Sequence, residues 1–384
     1  MKNLIYLDNA ATTLKKPRTV AKAVYNAIAS GEIGNAGRSS YSAAYTALQE
    51  LYNTRAIIAK LFNIKNPLNV ALCQNGSAAL NMALRSLFYN TRDTHIITTT
   101  FEHNSVLRPL YQFREAGGGL SVCTPSLATG QFDIAPLVQK TTKAVVINHA
   151  SNVVGVVQDL KAISEVCNKY GLVMIVDLCQ TAGLVALDAS CFNNAIFCFT
   201  GHKGLYGPQG TGGIVLSGSF DLKPVFSGGA GHDSFNPSHP ALMPDVFEVG
   251  TMNVPSFVGL NRGIEYVLDT GIDKIFKKIS ALRSYFVKEV EKIEGVRLYG
   301  ASYKSDYSGV VGLNIDGKPS SEVSLALFEH YGIATRSGAH CAPLLHKYFG
   351  TQDEGMVRFS FSSFNTKTEL KQAIEALKEL AVKK

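Results

Sequence analysis

The sequence has no tryptophan, no Cys-x-x-Cys pair, no block of like charges and no low-complexity linker. The missing Cys-x-x-Cys spacing argues against a zinc ribbon, and an odd count of seven cysteines argues against a disulfide framework. No metal site is expected. Apolar runs are short: residues 171–176 form one of the strongest, far below the ~20 residues that span a bilayer. Residues 1–8 have no apolar core before their first acid, so no secretory signal is read and a cytoplasmic location is expected. Lysine and arginine number 37 against 30 aspartates and glutamates, a net charge of +7 spread along the chain. Without a basic patch interleaved with aromatics, no nucleic-acid partner is expected.

What is present is apolar material in short, regularly spaced pieces. Hydrophobic residues make up 46% of the 384, which excludes disorder and suits about two domains. Strand-like runs recur near 70–73, 96–99, 120–123, 144–147, 172–176 and 195–199. Each gap can hold a helix and two loops, the rhythm of βαβ units and of an α/β fold with a mostly parallel sheet. Helical periodicity covers 77–89 and 104–116. Upstream, Ala44, Leu48, Leu51, Ile58 and Phe62 give one long helix its apolar face. After about residue 256 the rhythm changes. Helical stripes over 260–268 and 275–293 precede strand-like pieces at 310–315 and 356–361, and Thr366 with Glu369 forms a capping box for the last helix. This predicts a second, α+β domain.

Three features carry chemistry. Asp177 follows the run 172–176, at the carboxyl end of a buried strand, where open α/β sheets bind ligands. By itself such an acid is as readily a helix cap. Thr200-Gly-His-Lys203 follows the run 195–199; a lone lysine there is ordinarily a surface residue, but this one opens a segment, 204–213, so rich in glycine that its backbone must approach something closely. The segment is neither a Walker A loop nor a dinucleotide fingerprint. Asn75-Gly-Ser-Ala78 opens a helix after the strand at 70–73, and helix-terminal amides with a hydroxyl make a cradle suited to phosphate. Acid, amine and cradle on one sheet match the needs of pyridoxal 5'-phosphate: an acid for the ring nitrogen, an amine for the aldehyde, donors for the phosphate.

From Tyr6-Leu-Asp-Asn-Ala-Ala-Thr-Thr13 to Val357-Arg-Phe-Ser360, the chain resembles the class V aminotransferase family of fold-type I pyridoxal phosphate enzymes. Within it, the likeness is to the second group of cysteine desulfurases and to selenocysteine lyases. The resemblance implies that Lys203 is the Schiff-base lysine, that Asp177 pairs with the ring nitrogen, and that Gln180 and Asn152 bind the ring hydroxyl. It implies His103 stacked on the ring and the phosphate held by Ser77, Ala78, Thr200 and His202, with Thr251 reaching in from the second subunit of a homodimer. It further implies a large cofactor domain over 17–255 and a small domain from 1–16 and 256–384.

Arg336-Ser-Gly-Ala-His-Cys-Ala342 is the second constellation. Cys341 sits in a polar, glycine-containing loop with Arg336, His340 and His346 nearby, the setting of a reactive rather than a structural cysteine. The motif resembles the Arg-x-Gly-His-His-Cys-Ala signature of the group, whose cysteine accepts sulfur, except that Ala339 stands where its first histidine is expected. Arg358 matches the arginine that clamps the substrate carboxylate, and Asn9, Ala10 and Arg38 fall in segments that line the site in such enzymes. The expected function is therefore conversion of L-cysteine to L-alanine with a persulfide on Cys341, passed to an acceptor protein. L-selenocysteine lysis, a different class V aminotransferase or lyase reaction, and a non-catalytic scaffold are the alternatives.

Overall fold

The computed structural model describes residues 4–37, 40–88 and 92–382. A short strand, β1 (Ile5–Tyr6), leads into α1 (Arg18–Ala29) and α2 (Ser42–Leu61). Then follow β2 (Val70–Cys73), α3 (Gly76–Leu87), β3 (His95–Thr99), α4 (Asn104–Glu115), β4 (Gly119–Cys123), β5 (Thr142–Asn148), α5 (Leu160–Tyr170), β6 (Val173–Asp177) and β7 (Ala195–Thr200). The strands fall where the spacing predicts, but the gaps between β4 and β5 and between β6 and β7 hold only single 3-10 turns instead of a helix. Helices α3 and α5 start where side chains of Asn75 and Asp159 accept first-turn amides. An eighth strand, β8 (Gly212–Ser217), starts on the last two glycines of the glycine-rich segment 204–213 and runs beyond it.

Strands β2 to β8 form one seven-stranded sheet in the order β2-β8-β7-β6-β5-β3-β4. Pairs from β4 through β7 are parallel, whereas β8 runs antiparallel to both β7 and β2. The glycines of β8 are required by proximity. A Cβ on Gly212 would come within 2.8 Å of the Asn75 backbone carbon, and one on Gly213 within 2.7 Å of the Ala71 carbonyl oxygen. The register aligns Asn148 with Asp177 and Asp177 with Cys198. The carboxyl ends of β5, β6 and β7 therefore open on one edge, which is where a ligand crevice forms.

Two long helices follow, α6 (Val254–Thr270) and α7 (Ile272–Val290). The former packs on α1 and α2. Then come β9 (Val296–Tyr299), β10 (Val310–Ile315), α8 (Ser320–Tyr331), β11 (Ile333–Ala334), α9 (Pro343–Phe349), β12 (Val357–Ser360) and α10 (Lys367–Val382). Strands β12, β10 and β9 make an antiparallel sheet, and β11 pairs with β1, tying the chain's beginning to its last third. The capping box forms as expected: Glu369 N–H donates to Thr366 Oγ1 at 3.3 Å, and Thr366 N–H to Glu369 Oε2 at 2.7 Å. Leu48 departs from expectation. Ala44, Leu51 and Ile58 are buried, but Leu48 lies on the outer face of α2 and is 52% exposed. Among the described residues, no helix is long and apolar enough to cross a membrane.

Candidate active site

At the carboxyl edge of the large sheet lies a cavity of about 570 Å³, lined by residues that include Ser77, His103, Asn152, Asp177, Gln180, Thr200, His202 and Lys203. These come from five separate strand ends and helix starts, which is why sequence distance hides the site. Helix α3 supplies its first turn. Ala78 N–H is taken by the capping Asn75 side chain at 2.9 Å, whereas the amides of Gly76 and Ser77, being the first two of the helix, have no intrahelical acceptor. The Ala78 side of the predicted cradle is thus committed to the cap. Ser77 Oγ is 2.6 Å from Ser105 Oγ, so the cradle is joined to the start of α4.

His103 caps α4. Its Nδ1 accepts the Ser105 amide at 3.0 Å, which leaves the ring proton on Nε2. Burial, reinforced by the neighbouring Lys203 charge and opposed by Asp177, lowers its pKa to about 4. The imidazole is therefore neutral at physiological pH and suited to lie against a flat ring. Asp177 is buried at the end of β6, with Oδ1 accepting the Cys179 amide at 2.8 Å. Lys203 lies on the cavity wall, and burial pushes its amine below the ordinary lysine range, against the pull of Cys179 and Asp177. His202 Nδ1 bonds Thr12 Oγ1 at 3.0 Å, and burial lowers its pKa to about 4. Thr200 Oγ1 donates to Thr211 O at 3.4 Å.

Gln180 Nε2 donates to the Ala10 carbonyl at 3.1 Å. Asn9 and Ala10 line a smaller adjoining cavity that also touches Lys203. Asn9 is otherwise spent on structure, its amide reaching Ser360 O at 3.0 Å and Asn365 Oδ1 at 3.2 Å. Arg358, on β12, is buried and gives Nη1 to Asn152 O at 3.0 Å. Its neighbour in the cross-strand bridge is Arg336. Cys341 is exposed and does not line the main cavity, but its loop is tied to that cavity: Asn152 Nδ2 donates to His340 O at 2.8 Å.

Thr251 does not line its own chain's cavity and is exposed. The segment before it is anchored, because Glu248 pairs with both terminal guanidinium nitrogens of Arg55 and accepts the Leu72 amide at 2.7 Å. Arg38 falls outside the described residues, as does Tyr89 at the end of the predicted helix 77–89. Ser105, Asn148 and Cys179 also line the cavity and escape the sequence reading. Ser105 was findable, since it follows His103 within a helix start. Cys179 was not, because a cysteine flanking an apolar strand reads as core.

The chain matches the family model described as Aminotransferase class-V over residues 5–373. It is 30% identical to a probable cysteine desulfurase of Methanothermobacter thermautotrophicus, over 99% of this chain and 96% of that one. It is 31% identical to a probable cysteine desulfurase of Xylella fastidiosa, over 98% and 90%. Among solved structures, the apo cysteine desulfurase of Thermococcus onnurineus superposes with a TM-score of 0.90 at 28% identity, covering 98% of this chain and 94% of that one. The S-sulfonic acid form of an Escherichia coli cysteine desulfurase gives 0.86 at 25% identity, over 98% and 94%. Strand order, cavity and full-length likeness agree: the chain belongs to the class-V aminotransferase family.

Proposed function

We propose that this chain is a pyridoxal-phosphate-dependent cysteine desulfurase that converts L-cysteine to L-alanine and holds the released sulfur on Cys341 for an acceptor protein. One observation carries the reading: Lys203, Asp177 and the unpaired amides of α3 converge on one cavity, to which Asn152 ties the Cys341 loop. Relatives named cysteine desulfurase along the whole chain support it.

The residues present fit the cofactor. Gly76 leaves the cradle open where any side chain would meet Cys179 Sγ, and Asp177 keeps Oδ2 beyond its one bond to the Cys179 amide. Gly76, Ser77, Thr200 and His202 would hold the phosphate, Asp177 the ring nitrogen, Asn152 and Gln180 the ring hydroxyl, and His103 would cover one face. Bound there, pyridoxal phosphate supplies an electron sink for negative charge at the substrate Cα. Lys203, its amine acidified by burial, is the base that takes the Cα proton. Arg358, held by Asp8 and Asn152 and with its buried Nε unpartnered, is the cation nearest in role to a carboxylate clamp, which the substrate would reach by displacing part of that packing. Cys341 sulfur attacks the substrate sulfur. The S–S bond forms as the Cβ–S bond breaks, Cβ gains a proton, and the net products are alanine and a Cys341 persulfide.

The reading includes a homodimer in which Thr251 serves the partner's site. Exposed apolar side chains on α1 (Tyr25, Ile28) and α2 (Tyr45, Leu48, Tyr52) supply a face to bury. The test is product stoichiometry from the cofactor-loaded protein with L-cysteine and, in parallel, L-selenocysteine. One alanine per Cys341 persulfide is expected; a keto acid formed by amino exchange, with no persulfide, would overturn the reading.

A further inference from the structure

We propose that the backbone amide of Asn104 and the imidazole of His340 are positioning groups that seat Cys341, and that His340 moves no proton. The inference rests on the desulfurase reading for its purpose but not for its geometry. His340 and Cys341 are consecutive non-glycine residues with φ of +48° and +57°. Side chains rarely tolerate that region, and two in a row persist only where the surroundings over-determine them.

The surroundings do so at four points. Asn104 is the first residue of α4, so its N–H has no partner within the helix. It donates to the Cys341 carbonyl at 2.7 Å. The carbonyl one residue earlier, on His340, accepts Asn152 Nδ2 at 2.8 Å. His340 Nε2 lies 2.9 Å from Met356 O, and a carbonyl can only accept, so the ring proton sits on Nε2. Gly338 and Met356 exchange both backbone bonds at 3.1 Å, which fixes the carbonyl that the imidazole grips.

His340 Nδ1 is buried with no hydrogen-bond partner. Its one proton is committed to Met356 and its free nitrogen has no partner through which to pass another. The side chain is a strut. Since Ala339 replaces the other histidine of the motif, neither residue before Cys341 is placed to move a proton for it. The loop's contribution is placement. His103 and Asn104 are adjacent, so the residue assigned to the cofactor's face and the amide that holds Cys341 move as one helix start.

Asn104→Pro tests this directly. Proline is tolerated at the first helical position, and His103, extended at ψ 155°, suits a following proline. The substitution deletes one N–H and leaves the helix. Cofactor absorbance and thermal unfolding should match the parent, while single-turnover persulfide formation on Cys341 falls about a hundredfold, the cost of a misplaced reacting group. His340→Ala should show the same loss and at least about tenfold faster hydrogen exchange at the Asn104 amide, whose acceptor has left. His340→Gln, whose Nε2–H can still reach Met356 O, should restore both. A parental rate in Asn104→Pro, unchanged exchange in His340→Ala, or His340→Gln as slow as His340→Ala would overturn the proposal. If the parent itself forms no persulfide, the desulfurase reading fails, and the exchange experiment still decides the seating.

Discussion

Arg358 Nη2 lies 2.8 Å from Asp8 Oδ1, an ion pair between residues 350 positions apart in sequence, and Arg358 is almost wholly buried. With Nη1 on Asn152 O, two edges of the guanidinium are held by the protein and only Nε lacks a partner. The fork is thus preset rather than free to swing. A lysine in its place has no rigid fork and cannot serve Asp8, Asn152 and a substrate carboxylate together. Arg358→Lys should leave cofactor absorbance intact and raise KM for L-cysteine about 10- to 100-fold, the worth of one charged hydrogen bond. An unchanged KM would remove Arg358 from substrate binding.

The roles proposed for Lys203 and Cys341 are separable. Lys203→Ala should abolish the absorbance band of the lysine-linked cofactor, leaving that of the unlinked aldehyde, together with all turnover. Cys341→Ala should keep the absorbance and lose alanine formation from L-cysteine by at least about a hundredfold. Absorbance spectra and alanine release measured side by side check both; full desulfuration by Cys341→Ala would discard the persulfide route.

Strands were legible because their buried, largely β-branched runs recur at regular spacing, as at Ile96, Val145 and Ile175, even where no helix separates them. Strand β8 was not: its apolar residues Ile214, Val215 and Leu216 are only three, and the two glycines before them, required by close packing against Asn75 and Ala71, read as the end of a loop. Leu48 shows a limit of periodicity: an apolar residue one position off the stripe is indistinguishable from core until the partner helix is known. Motif order brought out Ser77, His103, Asn152, Asp177, Gln180, Thr200, His202 and Lys203, which line one cavity. What no spacing reveals is which bonds are already spent, such as the Ala78 amide on Asn75, or that Cys179 faces the cavity.

Glu102, fully buried beside His103, accepts Thr99 Oγ1 at 2.5 Å and the Asn148 amide at 2.9 Å, while its Oε2 has no partner. Burial raises its pKa from 4.5 to about 8. Between those values the folded chain holds a proton that the unfolded chain has lost, so this group's contribution to stability falls as pH rises through that window. The slope limit is about 1.4 kcal/mol per pH unit. Glu102→Gln keeps the shape of the protonated acid and removes the titration. Its Tm relative to the parent should therefore climb from pH 5 to pH 8 and level off above; parallel Tm–pH curves would show that Glu102 is already ionised in the fold.

Leu48 on α2, with Tyr45 and Tyr52 on the same helix, offers an apolar face that a monomer would leave wet. Leu48→Glu places a charge there without touching the core. Light scattering should report a dimer for the parent and a monomer for the variant. If Thr251 serves the partner's site as proposed, cofactor affinity should drop in the same variant. A parent that is monomeric at micromolar concentration with full cofactor affinity would end the shared-site reading.

Gly76 and Cys179 are coupled by contact. A Cβ added to Gly76 would sit 2.3 Å from Cys179 Sγ, with Thr200 Cβ next at 3.5 Å. Gly76 has an ordinary helical backbone, so the clash and not φ forbids a side chain. Gly76→Ala should cost about 1–3 kcal/mol, the usual range for overpacking a tight site, and weaken cofactor binding because the displaced groups border the proposed phosphate cradle. Removing the sulfur leaves nothing nearer than 3.5 Å, so Gly76→Ala combined with Cys179→Ala should recover most of the lost Tm and affinity. A double-mutant cycle read by thermal unfolding and by cofactor titration measures this coupling. Strict additivity of the two substitutions would show that Cys179 does not set the width of the cradle.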